Sequence, residues 1–373
     1  MMKDSTKNFS RIDILGMVAS QFRALEPYSP IEPVDVLSAR LGIPEHKLIK
    51  LDGNENPYGP SPKAREAIAS FPWYHIYPDP LQRNLRAALS NYAGVSIEHI
   101  VAGSGSDELI DLITRLFITP GDKVISCPPT FGMYKFNTAV CGGEILEIPR
   151  KEGLYLDIDA IKSAVDEKTK LIFIASPNNP TGNALSTTEV EELLSTGAIV
   201  VIDEAYYEFC GCTAVPMVIE NDRLIVLRTF SKWAGLAGLR VGYGICPTQI
   251  TEIILTMKPP YNVNVAALVA AMATLEDLDE QGKSIKAIIE ERGRLYSELN
   301  NIPFLKPIPS QANFILCPLN NGRAGDLKRF LMEKGILIRQ IESAPFTNSI
   351  RVSVGRPEDT DEFLKAVRQW KVQ

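Results

Sequence analysis

The chain has 373 residues, 45% hydrophobic and 23% charged, which is the balance of an ordinary globular protein long enough for two or three domains or one large enzyme core. Its 39 Lys and Arg against 45 Asp and Glu give a formal charge of −6, which argues against nucleic acid or an anionic membrane as partner. Only three histidines occur, His46, His75 and His99, none spaced with Cys or carboxylates as metal ligands, so no metal site is expected.

The six cysteines are scattered, and the close pair Cys210-Gly211-Cys212 reads as two reduced thiols. The first residues, Met1 to Lys7, are charged and lack the apolar core of a secretory signal. The longest apolar stretch, Val265 to Leu275, falls far short of the roughly 18 residues that cross a bilayer. A cytoplasmic protein is expected.

In chain order, residues 1–50 carry helical patterns at Ile12 to Ala24 and Leu37 to Leu41, too few to fold alone and expected to pack with a smaller unit. The Pro- and Gly-rich Leu51 to Pro62 reads as a crossing segment. Residues 51–263 contain seven short apolar runs: His99 to Ala102, Lys123 to Ser126, Glu144 to Ile148, Leu171 to Ala175, Ala198 to Ile202, Leu224 to Leu227 and Val241 to Ile245. Near-continuous apolar runs of this length predict strands buried on both faces. Helix-period segments between them, such as Asp107 to Phe117 and Thr187 to Leu194, point to an α/β core. From residue 264 the pattern changes. A long amphipathic stretch (Ala266 to Leu299) is followed by Phe314 to Leu316, a helix near Ala324 to Lys334, Ile336 to Arg339, Ile350 to Val354 and a helix from Asp359. Residues 264–373 thus read as a smaller α+β domain.

Ligands of open parallel α/β sheets bind beyond the carboxyl ends of the strands, and the unusual residues of this chain lie there. Gly103-Ser-Gly-Ser-Asp-Glu108 opens a helix and is either a phosphate-binding start, with Ser106 and Asp107 at the helix end, or a plain turn. It is no dinucleotide fingerprint, because Glu108 stands at the third glycine. Ser176-Pro-Asn-Asn-Pro-Thr-Gly182 is a tight turn that could aim the Asn179 amide at a bound oxygen. Asp203 closes an apolar strand, where a lone carboxylate is expensive, so a cationic partner is expected. Tyr206 follows three residues on. Lys232, in Arg228-Thr-Phe-Ser-Lys-Trp-Ala-Gly-Leu-Ala-Gly-Leu-Arg240, sits among apolar and small residues, a setting that lowers an amine's pKa and suits carbonyl chemistry. Ser231 and Arg240 offer a hydroxyl and a guanidinium for a phosphate.

Asn, Asp, Tyr, Ser, Lys and Arg in this order resemble the pyridoxal-phosphate enzymes of the aspartate-aminotransferase fold (fold type I). Within them, Leu51-Asp-Gly-Asn-Glu-Asn-Pro-Tyr58, Ile76-Tyr-Pro-Asp79, Cys127-Pro-Pro-Thr-Phe-Gly-Met-Tyr134, Ser176 to Gly182 and Arg228 to Arg240 look like the histidinol-phosphate aminotransferase family, from about Leu25 to Arg368. The resemblance implies a large domain with a mostly parallel seven-stranded sheet flanked by helices, a smaller α+β domain, and pyridoxal 5'-phosphate as cofactor. It makes Lys232 the lysine that joins the cofactor, Asp203 the partner of its ring nitrogen, Asn179 and Tyr206 donors to its phenolic oxygen, and Phe131 the stacked ring. Ser106, Asp107, Ser231 and Arg240 would hold the phosphate. Tyr77 would reach that phosphate from the partner subunit of a homodimer. Tyr28, Asn56, Arg339 and Arg351 match substrate contacts, the substrates being histidinol phosphate and glutamate or 2-oxoglutarate. One departure is Ile76, where relatives commonly carry Arg. The rival expectations are an aromatic-amino-acid or broad-specificity aminotransferase, a threonine-phosphate decarboxylase-like enzyme, and a ligand-sensing module of the same fold.

Overall fold

The structure, a computed structural model, describes residues 14–23, 25 and 31–371. A short strand β1 (Ile49–Leu51) precedes the seven strands of the main sheet: β2 (Ile100–Gly103), β3 (Lys123–Ser126), β4 (Glu144–Glu147), β5 (Thr169–Ala175), β6 (Ile199–Asp203), β7 (Leu224–Thr229) and β8 (Gly242–Ile245). Their order is β2-β8-β7-β6-β5-β3-β4. Strands β7, β6, β5, β3 and β4 run parallel, while β8 is antiparallel to both β7 and β2. This is the mostly parallel seven-stranded sheet of fold type I.

The apolar runs become strands because successive side chains enter different cores. Leu171, Phe173, Val201, Ile225 and Leu227 pack into one cluster, and their neighbours Ile172, Ile174, Val200, Ile202 and Val226 into another. Each is nearly fully buried, a contribution of about 1.5–3 kcal/mol apiece. The helix Ser106–Phe117 covers the first cluster through Leu109, Ile110 and Ile113, a pattern of one amphipathic face.

The second sheet has the order β1-β10-β11-β9, with β9 (Phe314–Pro318), β10 (Ile336–Ile341) and β11 (Ser349–Ser353). Strand β1 pairs parallel with β10, Lys50 opposite Leu337, so chain from before the main sheet forms the edge of the C-terminal one. The long amphipathic stretch read over Ala266 to Leu299 forms two helices, Val265–Leu275 and Leu278–Asn300. Asp277 leaves helical geometry at φ −129°, and Asp279 and Glu280 then favour a new N-terminus with their negative charge. The helix expected at Ile12 to Ala24 appears only as Ile14–Met17 and a 3-10 turn at Ser20–Phe22; Ile12 and Ala24 lie outside the described residues. Among the described residues no helix is long and apolar enough to cross a membrane.

Candidate active site

A cavity of about 290 Å³ opens at the carboxyl ends of the parallel strands, where the turns after β2, β3, β5, β6 and β7 converge. Ser106, Asp107, Phe131, Asn179, Asp203 and Tyr206 line it, as do Ser231, Lys232, Arg240 and Arg351. Ten of the residues singled out from sequence are therefore brought together, although they span residues 106 to 351.

Strand alternation decides which of two consecutive carboxylates faces the cavity. Asp203 shares a face with Val201 and points to the side of Tyr134, whereas Glu204 points to the opposite face. There Glu204 pairs with Arg228 at 3.0 Å, and the Arg228 guanidinium lies 3.6 Å from the centre of the Tyr207 ring. The structural ion pair thus belongs to Glu204. Asp203 is held by neutral donors, the Tyr134 hydroxyl at 2.8 Å and the Ala205 N–H at 3.1 Å, and the nearby charges of Asp107 and Glu204 are acidic. Among the described residues no cationic side chain is hydrogen-bonded to Asp203 or paired with it, unlike the expectation from sequence. Burial pushes the Asp203 carboxyl up to about 6, with the Tyr134 hydrogen bond opposing, so at neutral pH it is mostly an anion facing the cavity.

Lys232 follows β7 and its amine donates to the Gly53 carbonyl at 3.1 Å. Burial first, and then the charge of Arg351, bring its pKa down to about 8, so the neutral amine is accessible near physiological pH.

The turn from β2 into the helix Ser106–Phe117 supplies the third feature. Asp107 accepts from Arg240 Nη2 at 2.7 Å, and Arg240 Nη1 reaches Ser231 Oγ at 3.4 Å. Ser104 N–H is capped by Glu108 at 2.6 Å, which in turn accepts from Asn262 at 2.7 Å, so the turn is fixed from below. Gly105 sits at φ +81°, a conformation that strains any other residue, and a Cβ there would lie 2.6 Å from Arg240 Nη2 and push the guanidinium aside. A Cβ on Gly242 would meet the Ser106 nitrogen at 2.5 Å. These close approaches leave a helix N-terminus, a hydroxyl and a guanidinium around one anion-sized space.

Arg351 donates to Asn179 Oδ1 and to the Asp52 carbonyl, each at 2.6 Å. Arg339 does not line the cavity but lies directly across from Arg351 in the β10–β11 pair, so both project from one face of the sheet. Asn56 is not at the cavity: its amide donates to the Trp233 carbonyl at 2.6 Å, and its carbonyl accepts from Tyr58 N–H. Tyr77 is 79% exposed and stacks on Tyr261 with ring centres 4.5 Å apart. Tyr28 lies outside the described residues.

Sequence reasoning passed over Tyr134 and Asn54, although both lie within motifs it quoted. Tyr134 stands three residues after Phe131 at the start of the helix Met133–Val140, and Asn54 donates to the Tyr206 hydroxyl at 3.0 Å. The signal available in the sequence for Tyr134 was only its place three residues after the ring expected to stack.

The model of the family described as Aminotransferase class I and II matches residues 46–367, and the chain belongs to that family. It is 52% identical over 320 residues to a histidinol-phosphate aminotransferase of Dehalococcoides mccartyi strain CBDB1, covering 86% of this chain and 89% of that protein. To the histidinol-phosphate aminotransferase of Roseiflexus castenholzii it is 47% identical over 365 residues, covering 95% and 98%. The crystal structure of histidinol-phosphate aminotransferase from Sinorhizobium meliloti in complex with pyridoxal-5'-phosphate superposes with a TM-score of 0.84 at 26% identity, covering 94% of this chain and 97% of that one. Within the family these relatives place the chain among the histidinol-phosphate aminotransferases.

The cavity fits pyridoxal phosphate on its own chemistry. A buried carboxylate held only by neutral donors suits a protonated ring nitrogen, an amine of lowered pKa suits a carbonyl, and the Gly105 turn with Arg240 suits a phosphate.

Proposed function

We propose that this chain transfers the amino group of L-histidinol phosphate to 2-oxoglutarate, yielding imidazole-acetol phosphate and glutamate in histidine biosynthesis. The observation that carries this reading is one cavity lined by a lysine amine of lowered pKa, an ionised carboxylate, and a guanidinium and hydroxyl at a helix N-terminus. When bound, pyridoxal phosphate supplies a carbonyl that condenses with amines and a ring that takes up the electron pair of a broken Cα–H bond.

The chain's residues do the rest. Lys232 Nζ would hold the cofactor through its carbonyl carbon and, as a free amine, would serve as general base for the substrate's Cα proton. Asp203 keeps a proton on the ring nitrogen, which a neutral partner would not do. Phe131 covers a ring face, and Tyr206 with the Asn179 amide nitrogen donates to the phenolic oxygen. Ser231, Arg240 and the N–H groups of Ser106 and Asp107 hold the phosphate.

Two unlike substrates must share one site. Histidinol phosphate carries a phosphate and no carboxylate, and glutamate carries two carboxylates. Arg351 and Arg339, facing each other across β10 and β11, suit either anion, because guanidinium meets both oxyanions bidentately. Tyr28 is assigned to substrate on resemblance, whereas Asn56, matched to substrate in the same way, would instead hold the backbone after Lys232.

A homodimer belongs to this reading, with Tyr77 delivered to the partner's phosphate. It is supported by the exposure of Trp73, Tyr74, Ile76 and Tyr77 in one segment. So does a division into a cofactor-binding domain over 51–263 and a smaller domain over 264–373 joined by residues 1–50, and a cytoplasmic location. Borohydride reduction of the holoenzyme followed by peptide mass mapping tests the central assignment. The cofactor should be fixed on Lys232; a label elsewhere, or an equal label in Lys232→Ala, refutes it.

A further inference from the structure

We infer that Tyr134 is a positioning residue for the cofactor: its hydroxyl aims the Asp203 carboxylate at the ring nitrogen while its ring braces Phe131. The inference rests on the reading of the cavity above as a pyridoxal-phosphate site.

Tyr134 is fully buried at the start of the helix Met133–Val140 and donates to Asp203 Oδ2 at 2.8 Å. Its ring lies flat on Phe173 of β5, centres 4.9 Å apart and 5° from parallel, so the phenol has little freedom to turn. It also meets Phe131 edge to face at 5.7 Å and 84°. One side chain therefore touches both the group beneath the ring nitrogen and the group that covers the ring. Asp203 Oδ1 is fixed by the Ala205 N–H, so the two donors set the orientation of the carboxylate plane.

The chemistry of the donor matters as much as its position. Burial raises the Tyr134 phenol well above its ordinary range, so it stays a neutral donor and never competes for the proton on the ring nitrogen. A cationic donor in its place would neutralise Asp203 and leave the ring nitrogen without a counter-charge. The other titratable groups acting on Asp203 are Asp107 and Glu204, both acidic, and Tyr206 also lies close by. Tyr134 thus offsets local repulsion without discharging the carboxylate. Without the hydroxyl, Asp203 takes up a proton at higher pH and keeps only the Ala205 N–H to orient it.

Tyr134→Phe removes one oxygen and keeps the stacked ring. Cofactor affinity, followed by absorbance while cofactor-free protein is titrated with pyridoxal phosphate, should fall by about tenfold to a hundredfold at pH 7, the range expected for a hydrogen bond to a buried charge. The pH below which affinity is lost should also move upward relative to wild type, because the Tyr134 hydrogen bond favours the ionised Asp203. Phe173→Leu serves as the packing control: it loosens the stack but retains the hydroxyl, and should lower thermal stability with a smaller shift of the pH profile. Unchanged affinity and pH profile in Tyr134→Phe overturn the inference, as does an identical shift in Phe173→Leu. Failure of the wild-type protein to bind pyridoxal phosphate is a different outcome, and refutes the reading of the cavity itself.

Discussion

Lys232→Met should stabilise the cofactor-free protein at neutral pH, although it removes the amine proposed above to hold the cofactor. The amine's pKa falls from its ordinary 10.5 to about 8 in the folded chain, chiefly through burial. A lysine whose folded pKa is depressed destabilises the fold wherever the unfolded chain binds the proton more readily. That penalty is absent above the unfolded value, grows as pH falls through it, and is complete below about 8. The difference corresponds to roughly 3 kcal/mol at pH 7 and less than about 1 kcal/mol at pH 10. Methionine has similar volume and no charge, but loses the hydrogen bond to the Gly53 carbonyl, which costs about 1 kcal/mol. The net expectation is a gain near 2 kcal/mol at pH 7 that disappears by pH 10. Urea denaturation of both cofactor-free proteins, at matched protein concentration and at the two pH values, measures it. A variant no more stable than wild type at pH 7, or a gain independent of pH, would mean that the amine is not held in a destabilising site.

Gly105→Ala should bind pyridoxal phosphate more weakly by about 1–3 kcal/mol, since it strains a φ of +81° and displaces Arg240; equilibrium dialysis against cofactor checks this. Arg351→Ala should lower kcat/KM for both histidinol phosphate and glutamate by about 1.5–3 kcal/mol, and loss for one substrate alone would end the shared-arginine reading. If Tyr77 serves the partner's site, mixing inactive Lys232→Ala with inactive Tyr77→Ala should restore activity in mixed dimers, to at most about one quarter of wild type for random assortment. No recovery after subunit exchange would contradict it.

The parallel sheet was legible because most of its strands are short apolar runs buried on both faces, and all seven fall where such runs occur, the edge strand β4 alone exposing Glu144 and Glu147. Their spatial order was not, since nothing local in Val241 to Ile245 says that β8 lies antiparallel between β2 and β7. The break at Asp277 was hidden for a similar reason: the amphipathic period continues through it, and only the change of backbone angle ends the first helix. Within the site, Asp203 and Lys232 stood out as polar groups in apolar surroundings. Which acid pairs with an arginine was decided by strand alternation, and it is Glu204. Tyr134 escaped notice because a tyrosine beside apolar residues reads as core, and its hydroxyl acquires meaning only when β6 is placed opposite. Asn56 shows the reverse: a polar residue within a quoted motif whose amide is spent on the backbone after Lys232.

The most direct test of the central claim is a single-turnover experiment on the holoenzyme. Histidinol phosphate, phenylalanine, tyrosine and threonine phosphate are mixed separately with the protein while cofactor absorbance is followed. Histidinol phosphate should convert the cofactor to its amino form far faster than the other three, and 2-oxoglutarate should return it. Comparable conversion by phenylalanine, or no return with 2-oxoglutarate, would contradict the account.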